Sequence, residues 1–232
     1  AKTTGRSSLE NTGTIKVGNN GIGMFGYEET TRGNITVGDS GIALFTKGGP
    51  VNVFDKATIK VGNSNAVGIY AIGTGGTITS TGKYVIGDDS YGIVNKGTGN
   101  TITVTLGSAE LKDKGKFIYS SDKTGVITNS AEITATGSGN YGIYSNGTVK
   151  NTGNMNLEKG TGNIGLLIND GGNAENSGNI KVGASTDDAN RSIGIVAINK
   201  ATAKKTGKIE VTKANGLGLY AKDSGTVENA TD

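Results

Sequence analysis

The sequence contains no cysteine and no histidine. Disulfides, thiolate chemistry, Cys/His zinc sites and histidine-based triads are excluded with them. Tryptophan is absent, proline occurs once in 232 residues, and aromatic residues make up 5%. Hydrophobic residues reach only 33%, fewer than an ordinary globule of this length uses to fill its core. No apolar run approaches the length of a membrane-spanning helix, and the opening AKTTGRSS has no signal-peptide core. Neither sign of charge dominates, with 23 Lys and Arg against 20 Asp and Glu. The densest basic pair, Lys204-Lys205, is too short for a nucleic-acid-binding arm.

What the chain has in quantity is glycine, 41 residues, combined with regularly placed Ile and Val. A disordered chain would carry more proline and charge and would lack that regularity. The regularity is a repeat. A pattern Gly/Ala-x-Ile-x-Val recurs with its third residue at Ile15, Ile35, Ile59, Tyr84, Leu111, Ile133, Met155, Ile180 and Ile209. The spacings are 20, 24, 25, 27, 22, 22, 25 and 29 residues, a period of about 24 that marks a solenoid. A second pattern, usually Gly-Ile-x-x, trails the first, with glycines at Gly21, Gly41, Gly68, Gly92, Gly115, Gly142, Gly165, Gly194 and Gly218. A third fills the gap before the next unit, as in Val51-Asn52-Val53, Thr77-Ile78-Thr79 and Thr226-Val227-Glu228.

Each pattern is short, β-branched and alternating, which predicts a half-buried strand. Gly-Asn, Gly-Asp and Asn-Gly pairs between them supply the left-handed positions that corners need. One unit of three strands cannot bury its apolar face alone, but a stack of such units can. The expected fold is therefore all-β: a right-handed parallel β-helix, three short strands per rung, of about nine to ten rungs. Nine rungs make a rod roughly 43 Å long. Residues 1–232 are expected to form one continuous solenoid segment, a piece of a longer rod, because neither end reads as a cap.

Alternation places Ile15 and Val17 inside and Lys16 outside, with the same for Ile59-Lys60-Val61 and Ile180-Lys181-Val182. Asparagines recur just before the first strand at Asn11, Asn129, Asn151, Asn176 and Asn229. Stacked rungs predict that some of these bond to one another along the axis.

The repeated N-[TS]-G-x-I-x-V-G followed by G-I-[YAV] resembles the passenger regions of large bacterial autotransporters, in style the very large fusobacterial-type adhesins. The residues that carry the likeness are NTGTIKVGNNGIG from residue 11, GNITVGDSGIALF from 33, YGIYSNGTVKNTGNM from 141 and NSGNIKVG from 176. The resemblance implies a parent with an N-terminal signal peptide and a C-terminal outer-membrane barrel. The barrel, absent from this segment, would be its membrane attachment. It implies display at the bacterial cell surface or outside the cell, and binding to a host-cell protein or glycan or to other bacteria. It supplies no catalytic motif to carry over.

The residues themselves give an enzyme little footing. β-Helix glycosidases need converging carboxylates, about 6.5–9.5 Å apart for inversion. The candidates are Asp39, Asp88-Asp89 and Asp187-Asp188, each before a Gly-Ile strand. Asp88 and Asp187 lie about 19 Å apart by rung count, and Asp39 and Asp88 about 10 Å. Turn geometry is the simpler role for them. No G-x-S-x-G elbow occurs. Gly75-Gly76-Thr77 and Gly171-Gly172-Asn173 lack the Gly-x-Asp of calcium-binding repeats. The outward column Lys16, Thr36, Lys60, Val85, Lys112, Thr134, Asn156, Lys181, Glu210 is too charged for an ice-binding array. No enzyme, cofactor, metal or nucleic-acid partner is expected.

The second strand is more informative. Its outward position reads Gly23, Ala43, Tyr70, Val94, Ile118 with a one-residue shift, Tyr144, Leu167, Val196 and Tyr220. Large side chains from Tyr70 to Tyr220 predict an exposed interaction stripe. Phe25 and Phe45 are expected to be corner packing. The stretches Ala184 to Ser192 and Glu110 to Lys114 are expected to be loops that interrupt the rung. The expected function is adhesion, with a rigid spacer or a self-associating rod as alternatives, and a polysaccharide-active enzyme as the remotest.

Overall fold

The computed structural model describes residues 7–187 and 190–230. These form 28 strands and no helix. Every third strand in chain order shares a sheet, giving three parallel sheets of 10, 9 and 9 strands. Sheet 1 runs from Ser8–Asn11 to Thr226–Asn229, sheet 2 from Thr14–Val17 to Ile209–Val211, and sheet 3 from Ile22–Gly26 to Leu217–Lys222. The result is a parallel β-solenoid of about nine turns with three strands per turn, as the repeat requires.

The interior is built of stacked columns. In sheet 2, Ile35, Ile59, Ile133 and Ile180 sit directly over one another's equivalents and are wholly buried, while Lys60 and Lys181 between them and the valines face water. Each such side chain contributes about 2 kcal/mol of burial. One rung departs from the expected register. Tyr84 pairs with Ala109, and Ile86 with Leu111. Leu111 therefore belongs one core column later than its spacing suggests, and the outward residue of that rung is Glu110, not Lys112. Glu110 lies within the strand Ser108–Leu111, so only the end of the 110–114 stretch is a corner. The small Ala109 makes room for its bulky neighbours: Tyr84 and Phe117 fill this part of the core edge to face, 5.3 Å between centroids.

The corners explain the glycine, asparagine and aspartate content. Before most strands of sheet 3 the corner holds a left-handed residue, including Asn20, Ser40, Ser64, Asp89, Lys114 and Gly139, with φ between 49° and 70°. Short polar residues and glycine adopt this region at least cost. Most strands of sheet 3 also carry glycine where they bend, and several of these leave no room for a Cβ. A Cβ on Gly142 would lie 2.6 Å from the Gly165 carbonyl oxygen and 2.8 Å from Met155 Sδ. Gly142→Ala is therefore expected to destabilise the rod by about 2 kcal/mol, read from the denaturation midpoint at unchanged slope.

The predicted asparagine ladder is present in its central part. Asn129 Nδ2 donates to Asn151 Oδ1 and Asn151 Nδ2 to Asn176 Oδ1, both at 2.7 Å and buried. Asn11 occupies the same column but donates to Thr31 Oγ1. Asn229 does not join, because Lys205 stands between it and Asn176 and donates to its Oδ1 instead.

One core position is anomalous. Glu29 is wholly buried in sheet 1, between the column positions of Leu9 and Val51. Its Oε1 accepts the Gly26 N–H at 2.7 Å, and Oε2 has no partner. Burial pushes its carboxyl up to about 8, so it is mostly neutral at pH 7.

Candidate interaction face

The outer face of sheet 3 arises from a break in strand alternation. In Tyr91-Gly92-Ile93-Val94 both middle residues face the core: Ile93 is fully buried, and a Cβ on Gly92 would meet the Phe117 ring and Ile86. Tyr91 and Val94 consequently both point outward. Repeated over the rungs, this gives two parallel outward columns instead of one.

The registers fix the inner of these columns as Phe25, Phe45, Tyr70, Val94, Tyr119, Tyr144, Leu167, Val196 and Tyr220. Tyr70, Tyr144, Leu167 and Tyr220 stand where the sequence placed them. Ile118 does not: it pairs with Ile93 and Ile143 and is fully buried, and Tyr119 takes the outward place. Gly23 and Ala43 are likewise core-side, and Phe25 and Phe45 extend the column. The errors have one cause. In these three rungs the first glycine precedes the bend by two residues, and Ala43 and Phe117 fill the place that the remaining rungs give to glycine. Val94 and Val196 do point outward, but each is 4% exposed beneath taller neighbours, whereas Phe25 is 53% exposed and Tyr220 38%. They are floors, not crests.

The second column, absent from the sequence reading, includes Ile22, Tyr91, Lys116, Tyr141 and Ile164. Its signal was the aromatic or aliphatic residue directly before most bends, with Lys116 the exception. The two columns interlock. Phe45 stacks on Tyr70 at 5.6 Å, Tyr119 stacks on Tyr144 at 4.7 Å, and Tyr91 stands edge to face with Tyr119 at 6.0 Å. The Lys116 ammonium lies 4.6 Å from the Tyr91 ring centre. Burial, then the neighbouring tyrosines, raise the Tyr119 hydroxyl above its ordinary range, and Tyr141 is raised for the same reasons. Both stay protonated donors at neutral pH.

Two hollows open on this face. One, of about 280 Å³, is lined by Asn65, Val67, Tyr70, Tyr91, Val94, Lys96 and Tyr119. The other, about 180 Å³, lies between Lys116, Tyr119, Tyr141, Tyr144 and Leu167. Neither column contains an acidic side chain, although acids and bases are nearly balanced over the chain. The middle outward column of sheet 1 differs, mixing threonine with an alternation of Lys150, Glu175, Lys204 and Glu228.

The corner aspartates are occupied by turn geometry. Asp39 Oδ1 accepts the Asn63 N–H at 2.8 Å, Asp88 Oδ1 the Asp113 N–H, and Asp113 Oδ1 the Ser138 N–H at 2.7 Å. Each side chain thus ties its rung to the next. Asp187 caps its own loop through Asn190, and Asp188 lies outside the described residues. No group of three or more acids suited to a metal ion occurs among the described residues.

With this geometry in hand, one comparison is informative. Residues 157–230 match the BigA third pectate lyase-like domain. The match covers the last three rungs, about a third of the chain, and agrees with the β-helical architecture seen there. It does not reach Tyr70, Tyr91 or Tyr119. No curated protein and no solved structure matches the chain.

Proposed function

We propose that this chain is a segment of a bacterial surface rod, displayed as an autotransporter passenger, that adheres through the outer face of sheet 3. The observation that carries this reading is the outward column from Phe25 to Tyr220, in which phenylalanine, tyrosine and leucine side chains stand above the buried floors Val94 and Val196. A contiguous apolar stripe on a solenoid marks an interaction surface, and tyrosine provides contact area at little entropic cost. The similarity of residues 157–230 to a BigA domain supports a surface rod. The partner sits on a host cell or another bacterium. Self-association is disfavoured by charge: two such faces would oppose Lys47 and Lys96 with no acid in either column to receive them, Lys116 and Lys222 being paired with Asp89 and Asp223. The reading is non-enzymatic, since the corner carboxylates serve the backbone.

The test is binding of the purified chain to intact epithelial cells and to a panel of bacteria. Changing Tyr70, Tyr144 and Tyr220 together to Ser is expected to weaken saturable binding at least tenfold, on the order of 1.4 kcal/mol or more, with the fold intact by circular dichroism. Absence of binding by the folded wild type to any partner would leave a spacer.

A further inference from the structure

The hollow around Val94 has the form of an aromatic cage. Tyr70 and Tyr119 lie two rungs apart on either side of Val94, about 10 Å between strands, and both line the hollow. Tyr91 closes the back, its plane 77° from that of Tyr119. Three rings thus bound one hollow with an aliphatic floor. A group midway would sit about 5 Å from each opposed ring, inside the range at which a ring face attracts a cation. Tyr91 already draws one cation, Lys116, to its ring.

The cage contains no carboxylate, so an ordinary ammonium would enter with its N–H groups poorly paired. A quaternary ammonium has no N–H to satisfy and presents methyl groups to the rings. Lys96 lines the same hollow, is exposed, and makes no ion pair among the described residues. It would repel an isolated cation and attract a phosphate. A single chemistry answers both features: a quaternary ammonium joined by a short linker to a phosphate.

We infer that the hollow formed by Tyr70, Tyr91, Val94, Lys96 and Tyr119 binds phosphocholine. The site lies on the face proposed for adhesion and rests on that reading for its biological setting. Its chemistry can be tested alone. The trimethylammonium occupies the cage between Tyr70 and Tyr119. Lys96 receives the phosphate at the mouth.

The experiment titrates the whole chain with phosphocholine, choline and inorganic phosphate, followed by tyrosine ring resonances and by calorimetry. Phosphatidylcholine vesicles, with phosphatidylglycerol vesicles as control, separate a membrane headgroup from a soluble or polymer-linked one. Phosphocholine is expected to saturate and to bind at least tenfold more tightly than either half. Lys96→Glu should weaken phosphocholine at least tenfold without weakening choline. Val94→Tyr, which places in the cage the residue neighbouring rungs already carry, should abolish both. The assignment is overturned if phosphocholine does not saturate at millimolar concentration, if inorganic phosphate binds equally well, or if Lys96→Glu changes nothing. Binding of sialyllactose at these same residues, without phosphocholine binding, would also overturn it in favour of an acidic sugar. Cell binding that persists at saturating phosphocholine removes the cage from adhesion and leaves the adhesive face. Phosphocholine binding by a chain that adheres to no cell keeps the cage and removes the adhesin.

Discussion

Glu29→Gln is expected to stabilise the rod by about 3 kcal/mol at pH 7, and more at pH 8. The wild-type side chain is buried with Oε2 unpaired, and burial holds its carboxyl at about 8, against 4.5 for the unburied group. In the unfolded chain the proton leaves near the ordinary value; in the folded chain it stays until about pH 8. Between those values the native state binds the extra proton. Stability therefore falls as pH rises through this window and levels off above it. Below about pH 4.5 both states are protonated and the deficit vanishes. The difference between variant and wild type should follow the same course, small at pH 4 and largest at pH 8.5. Solenoids open rung by rung, so the measurement is hydrogen exchange at the amides around Glu29, such as Phe45, across this pH range. A difference independent of pH would show that the carboxyl is not the cause.

Asn151→Val should cost about 3 kcal/mol. Asn151 accepts from Asn129 at 2.7 Å, donates to Asn176 at 2.7 Å, and donates to the Gly153 carbonyl at 2.9 Å. Removing this one amide strands polar atoms in the dry interior above and below it, and an unmade buried bond costs more than a made one contributes. The informative control is the triple change of Asn129, Asn151 and Asn176 to Val. Val53 and Val104 already occupy this column in other rungs, where they are buried. A fully apolar column leaves no amide unpaired, so the triple variant should cost well under three times the single one. Denaturant titrations of the wild type, the single variant and the triple variant give the comparison. Additive losses would mean that the asparagines act independently.

These cases show where sequence sufficed. The period, the alternation of Ile15-Lys16-Val17, and the recurrence of Asn129, Asn151 and Asn176 are local patterns. In a solenoid a local pattern repeated at a constant interval is already a three-dimensional contact. The same logic assigned Tyr70, Tyr144, Leu167 and Tyr220 to one outward column. It failed where a rung departs from the common wording. Phe117 replaces the expected glycine, so counting from Gly115 put Ile118 outside and left Tyr119 unnoticed. Counting from Gly21 and Gly41 likewise put Gly23 and Ala43 outside and read Phe25 and Phe45 as corner packing, when they stand in the outward column.

By itself, then, the sequence determined the all-β solenoid, its three strands per turn and the face on which large side chains gather. Only the tertiary structure decided the register between strands some 25 residues apart, and with it everything that depends on what stacks on what. Val94 became the floor of a cage because tyrosines stand in the rungs on either side. Glu29 became a buried acid because its column is core from Val51 to Ala203 in the rungs that follow. Asp88 became a backbone tie because the next rung brings an N–H to its carboxylate. Each role belongs to a neighbour one turn away, and no window of sequence read along the chain contains that neighbour.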